Sequence, residues 1–160
     1  VSRKLIRHVT ADWFNAANIP GLDMVHPGTM REIPWANHGS GANLCQAEVL
    51  VGRRPDKRIA LGGPKSGQKE INSQITLRIW FRSTNTDWLE AQDDFDDITE
   101  AIVKQLRAGG RVLGRPDAVV SAGEFGQGIV QSDEEPVALD GGAMQARCEV
   151  LFEVTEVINS

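Results

Sequence analysis

The chain has 160 residues, 41% hydrophobic and 24% charged, a size and composition that let one domain bury roughly 70% of its unfolded surface. Its net charge of −5 argues against a dedicated nucleic-acid binder, whose affinity comes mainly from neutralising phosphates. No run approaches the ~20 apolar residues of a membrane span, and the opening VSRKLIRH is polar and basic rather than a signal peptide. The expectation is a single domain over residues 1–160 that stays in the cytoplasm where it is made.

Residues 2 to about 18 read as an amphipathic helix, with Ile6, Val9, Trp13 and Ala17 at spacings of three and four. Ile19-Pro20-Gly21 should end it, because Pro20 disfavours a helical Ile19 and Gly21 permits a turn. Residues 21–41 carry Pro27, Pro34 and no sustained period, which predicts a long ordered loop pinned by Trp35, with a short strand at 23–25. Strands are expected at 47–51, an apolar run interrupted by Glu48, and at 58–61. The clearest strand covers 74–82. Ile75, Leu77, Ile79 and Phe81 line one face, while Thr76, Arg78, Trp80 and Arg82 line an amphipathic second face.

The clearest helix covers 87–108, with a buried stripe of Trp88, Ala91, Phe95, Ile98, Ile102 and Leu106. Thr86 is its expected N-cap, and Gly109-Gly110 supplies the left-handed stop. Asp87, Glu90, Asp93, Asp94, Asp96 and Asp97 mark an exposed acidic face. A short strand at 118–122 follows, then an acidic stretch at 126–142, rich in glycine and read as a protruding loop or loose hairpin. The last strand, 145–157, turns Ala146, Cys148, Val150, Phe152 and Val154, preceded by Met144, toward the core. Leu151 and Val157 depart from that alternation and point to contact with another surface. The order gives an α+β fold: a mainly antiparallel mixed sheet with two helices packed on one face.

Catalytic chemistry is not legible. His8, His26 and His38 have no partner at metal-site spacing, which favours surface or structural roles. Cys45 and Cys148 lie outside any CxxC pattern and read as two buried thiols. No Gly-x-Ser-x-Gly elbow occurs, and Asp96-Asp97 sits on a helix face. The stretch Gly62-Gly63-Pro64-Lys65-Ser66-Gly67-Gln68-Lys69 is not a phosphate-binding loop. Gly-Lys-Ser/Thr would have to open a helix, and a strand comes next. It reads as a basic hairpin loop between the strands at 58–61 and 74–82. No catalytic residue, cofactor or metal ligand is assigned.

Charge is segregated along the chain. Arg53, Arg54, Lys57, Arg58, Lys65 and Lys69 face a single Asp56, whereas Asp117, Glu124, Asp133, Glu134, Glu135 and Asp140 span a stretch without Lys or Arg. Solvated loops account for this, and so does head-to-tail complementarity between identical subunits. On the second reading Arg53, Arg54, Lys65, Lys69, Asp133, Glu134 and Glu135 are the candidate interaction residues.

Four places carry a resemblance to the tail terminator proteins of long-tailed bacteriophages, particularly those of actinobacterial phages. An N-terminal amphipathic helix runs into Ile19-Pro20-Gly21-Leu22, and a strand ending Leu77-Arg78-Ile79-Trp80 leads to a helix with Phe95-Asp96-Asp97-Ile98 and Ile102-Val103-Lys104-Gln105-Leu106. A Gly-rich turn and short strand cover 118–126, and a final strand covers 147–157. The resemblance implies a structural virion protein and no enzyme. It would form a homo-hexameric ring that caps the head-proximal end of the tail tube, with tail-tube protein on one face and the head–tail stopper of the neck on the other. DNA would pass through the lumen unbound. The protein would lie at the tail–neck junction of the virion, and in the host cytoplasm during assembly. The alternatives are another neck component (a stopper or connector), the tail-tube protein, a small dimeric ligand-binding α+β domain, or an enzyme assembled from His26, His38 and distant carboxylates.

Overall fold

A computed structural model describes residues 3–35, 42–52, 56–58, 68–108, 118–121 and 129–159. Among the described residues two helices, α1 (Arg3–Ala16) and α2 (Trp88–Ala108), pack on one face of a sheet of eight strands. The strands are β1 (Met24–His26), β2 (Asn43–Val51), β3 (Asp56–Arg58), β4 (Gln68–Ser83), β5 (Ala118–Ser121), β6 (Val130–Asp133), β7 (Val137–Ala138) and β8 (Met144–Asn159). The main order is β1-β2-β4-β8-β5, with β3 added to β4, and β6 and β7 added to β8. Only β1–β2 is parallel among these pairs; the rest are antiparallel. The α+β class and the mixed, mainly antiparallel sheet are as the sequence predicts.

Register follows from the alternation. Ile75, Leu77, Ile79 and Phe81 of β4 stand opposite Val51, Val49, Ala47 and Cys45 of β2, and opposite Phe152, Val150, Cys148 and Ala146 of β8. These side chains share one sheet face, and a one-residue slip would turn them all to the other side. The helices cover that face. Phe95 of α2 stacks on Phe81 with ring centroids 4.9 Å apart, and Phe14 of α1 meets Phe152 edge-on at 6.3 Å. Cys45 and Cys148 are both buried free thiols in this core, as the sequence predicts. Burial is the first cause holding each thiol well above its ordinary value.

Several local readings are corrected. On α1 the fully buried residues are Ile6, Thr10, Ala11 and Phe14, while Val9, Trp13 and Ala17 flank them half-buried. The apolar set spans a wide arc, and the ring of Phe152 selects Phe14 as its centre. Asn15 then fastens the helix end to β1, donating to the Val25 carbonyl and accepting from the Val25 amide, each at 2.9 Å. The cap of α2 is Asp87 rather than Thr86: its Oδ1 accepts from the amides of Leu89 and Glu90 at 3.1 and 3.3 Å. The stop expected at Gly109-Gly110 lies outside the described residues. Asp94 is not part of the exposed acidic face, because it is half-buried and accepts from Asn43 Nδ2 at 2.7 Å.

The acidic stretch is no free protrusion where it is described. β6 and β7 both pair with β8, whose long edge would otherwise leave backbone groups unpaired. β4 starts at Gln68, six residues before its hydrophobic alternation, because β3 and β8 supply hydrogen-bonding partners on its two sides there. β3 and β4 pair antiparallel, and the basic loop predicted between them lies outside the described residues. Lys69, however, belongs to β4 and pairs with Arg58 and Ile158, so it is not in the connecting loop. The short first strand is found one residue on from its predicted place, at Met24–His26.

Candidate functional site

The second face of the sheet carries no helix among the described residues. It is built from the alternate residues of the same strands, so its rows are fixed by the register that builds the core. One row reads Gln46–Trp80–Arg147, the next Glu48–Arg78–Glu149, and the one on the other side Leu44–Arg82–Gln145 followed by Val137. The cross-strand partners interact directly. Arg78 Nε donates to Glu149 Oε1 at 3.1 Å, and Arg82 Nε donates to Gln145 Oε1 at 3.0 Å. Arg147 lies over the Trp80 ring at 5.2 Å and forms an ion pair with Glu134.

The segment after β1 lies across part of this face. Trp35 receives the guanidinium of Arg82 on its ring at 4.7 Å, a cation–π contact within the ~6 Å range. The Met30 amide donates to Glu48 Oε1 at 2.8 Å, and Gln46 Nε2 donates to the Pro34 carbonyl at 3.4 Å. Beneath the segment His26 Nε2 and Gln46 Oε1 are 2.6 Å apart, and Trp80 Nε1 donates to Glu48 Oε2 at 3.4 Å. Glu48 is thereby only 2% exposed and Gln46 fully buried. Buried polar groups of this kind are tolerated because each is hydrogen-bonded, and together they hold the segment in place.

Between the segment and the sheet remains a cleft of about 350 Å³ lined by Glu32, Ile33, Trp35, Trp80, Arg82 and Gln145. Its walls are two indoles, and its polar groups are a guanidinium, an amide and, at the rim, a carboxylate. Such a lining combines apolar walls with hydrogen-bond donors. Nothing in it pairs a nucleophile with a base. Among the described residues no group of three or more His, Cys, Asp or Glu is placed to hold a metal ion. No helix among them is long and apolar enough to cross a membrane.

Of the candidate residues read from charge alone, only Lys69, Asp133, Glu134 and Glu135 lie among the described residues. Arg53, Arg54 and Lys65 lie outside the described residues, as does His38, and Lys69 is a strand residue of β4. Asp133 stands opposite Cys148 on the helix-facing side and accepts from Gln131 Nε2 at 3.3 Å. Glu134 is tied to Arg147, and Glu135 is exposed next to it. His26 has a structural role beneath the segment, and Trp35 does pin it. Sequence reasoning recognised Trp80 between two arginines as amphipathic but missed Glu48, Gln46 and Gln145. Their signal was an interruption in an apolar run and an alternation shared by three strands, and only the register brings them into one place.

Compared with known proteins, the chain matches no protein-family model and no curated sequence.

Proposed function

We propose that this chain is a structural subunit of a tailed bacteriophage. It forms a ring that caps the head-proximal end of the tail tube and joins it to the neck. The observation that carries the reading is the two-sidedness of the sheet. One side presents the acidic outer face of α2, and the other presents an open array of Trp35, Trp80, Arg82 and Arg147. A subunit with unlike surfaces on opposite sides favours heterologous contacts, which close into rings when the rotation permits. A ring whose two faces differ can match a tube on one face and fail to repeat that match on the other, which is the requirement for ending a stack. This role involves no catalytic step and no cofactor. DNA passes through the central hole, and tail-tube and stopper proteins are the neighbours.

The test is a phage lacking this protein. It should make filled heads and unjoined tails, with unterminated tubes, some beyond normal length. Purified protein should cap those tubes and restore joining. Tails of uniform length already attached to heads in electron micrographs of the knockout would eliminate the reading. Detached tails of correct length with capped ends would transfer the protein to the stopper class.

A further inference from the structure

We propose that the cleft between Trp35 and Trp80 receives the exposed Leu89–Asp93 edge of α2 from a second copy of this chain. The inference rests on the ring reading and specifies the contact between neighbouring subunits.

Leu89 is 75% exposed, in the first turn of a helix whose start is fixed by the Asp87 cap. An apolar side chain held out on a rigid helix end is a knob, and a cleft walled by two indoles is a fitting hole. Asp93 lies four residues on, so it shares the helix line of Leu89, and Asp96, Asp97 and Glu100 continue the exposed acidic surface. The cleft offers matching donors. Arg82 uses Nε on Gln145 and its ring-facing plane on Trp35, while its two Nη groups and the Gln145 amide nitrogen make no hydrogen bond among the described residues. An Arg fork beside an amide suits one carboxylate. Glu32 at the rim carries the opposite sign, so the cleft pairs with one acid at Arg82 and leaves the rest of the acidic stripe outside. Crowding by Asp133, Asp93, Glu100 and Asp97 adds to partial burial in raising Asp96, so a cation brought to this stripe relieves repulsion.

The geometry also sets the symmetry. Knob and cleft lie on opposite sides of one sheet, so no subunit can fill its own cleft. A pair joined this way leaves one knob and one cleft unused, and growth continues until a ring closes.

The full-length protein tests this by light scattering. Arg82→Glu and Leu89→Asn should each reduce the wild-type assembly to monomer mass. Their equimolar mixture should form a dimer of one copy of each, because one variant keeps its knob and the other its cleft. Leu89→Asn alters an exposed side chain and should melt like wild type. Trp35→Ala provides a second cleft variant should Arg82→Glu fail to fold. Variants that keep the wild-type mass, or a mixture that stays monomeric, would overturn the contact. Six-fold rings persisting in every variant would overturn the contact alone and leave the ring reading standing. Loss of a wild-type assembly that images show is not a six-fold ring would support the contact and overturn the terminator reading. A monomeric wild type at every concentration would overturn both.

Discussion

Asp96 shows how a single side chain registers the crowding on α2. Partial burial, and then the neighbouring Asp133, Asp93, Glu100 and Asp97, raise its carboxyl above the ordinary 3.8. An acid whose folded value is raised binds more protons in the native state than in the unfolded chain. Stability is therefore fullest below 3.8 and falls as pH rises through the folded value, leaving an unfavourable contribution at neutral pH. Asp96→Asn should raise the urea midpoint at neutral pH and leave it nearly unchanged in acid. A variant whose midpoint falls at neutral pH would refute the crowding argument. The acidic cluster itself was legible as a run of letters, but its members have different fates that the letters do not distinguish. Asp87 caps the helix, Asp94 anchors Asn43, and Asp96 endures repulsion. Those fates depend on Asn43 and Asp133, which are far away in sequence and near only in the fold.

At the scale of elements, α2 and its strand partner offer the sharpest contrast. Phe95 is stacked on Phe81 beneath the sheet, and Phe95→Ala should cost about 3–5 kcal/mol through loss of contact and the cavity left behind. Asp93→Ala, on the exposed side of the same helix, should change stability by less than ~0.5 kcal/mol. Asp94→Ala should fall between them, at about 1 kcal/mol, for the lost hydrogen bond to Asn43. Denaturant midpoints in any other order would displace the buried face. The stripe of α2 and the alternation of β4 and β8 were readable because hydrophobic period reports directly on a two-layer core. The polar first residues of β4, and the pairing of β6 and β7 with β8, were not readable. Their place is decided by backbone hydrogen bonds to a partner, and a sequence pattern records side chains only. The turn between α1 and β1 has a similar hidden constraint. Gly21 has φ +86°, and a Cβ there would stand 2.9 Å from the Ile98 side chain, so the glycine serves packing on α2 as well as the turn.

For the whole molecule, the α+β class was legible from element order, and the two unlike sides in part from the acidic face of the 87–108 helix and from Trp80 between two arginines. The actual composition of the open face was not, since it draws on β2, β4 and β8 and on the segment ending at Trp35. The same central pair of strands has a kinetic consequence. β4 and β8 are 16 residues each and pair from end to end, yet α2, β5, β6 and β7 all lie between them in the chain. Paired residues are therefore separated by roughly sixty to ninety positions, and the seam cannot nucleate as a hairpin. Loop-closure entropy is spent before any of its contacts form, which places folding in the range of about milliseconds to seconds rather than microseconds. In stopped-flow refolding, Val150→Ala in the seam should slow folding, whereas Ala11→Gly in α1 should chiefly speed unfolding. Microsecond refolding, or a reversal of those two effects, would show that the seam is not where folding is decided. Until the seam closes, β4 and β8 are long strands with open edges at the moment when many copies are being made side by side. The slow step of folding is thus also the interval in which two unfinished copies can pair edge to edge in the wrong way.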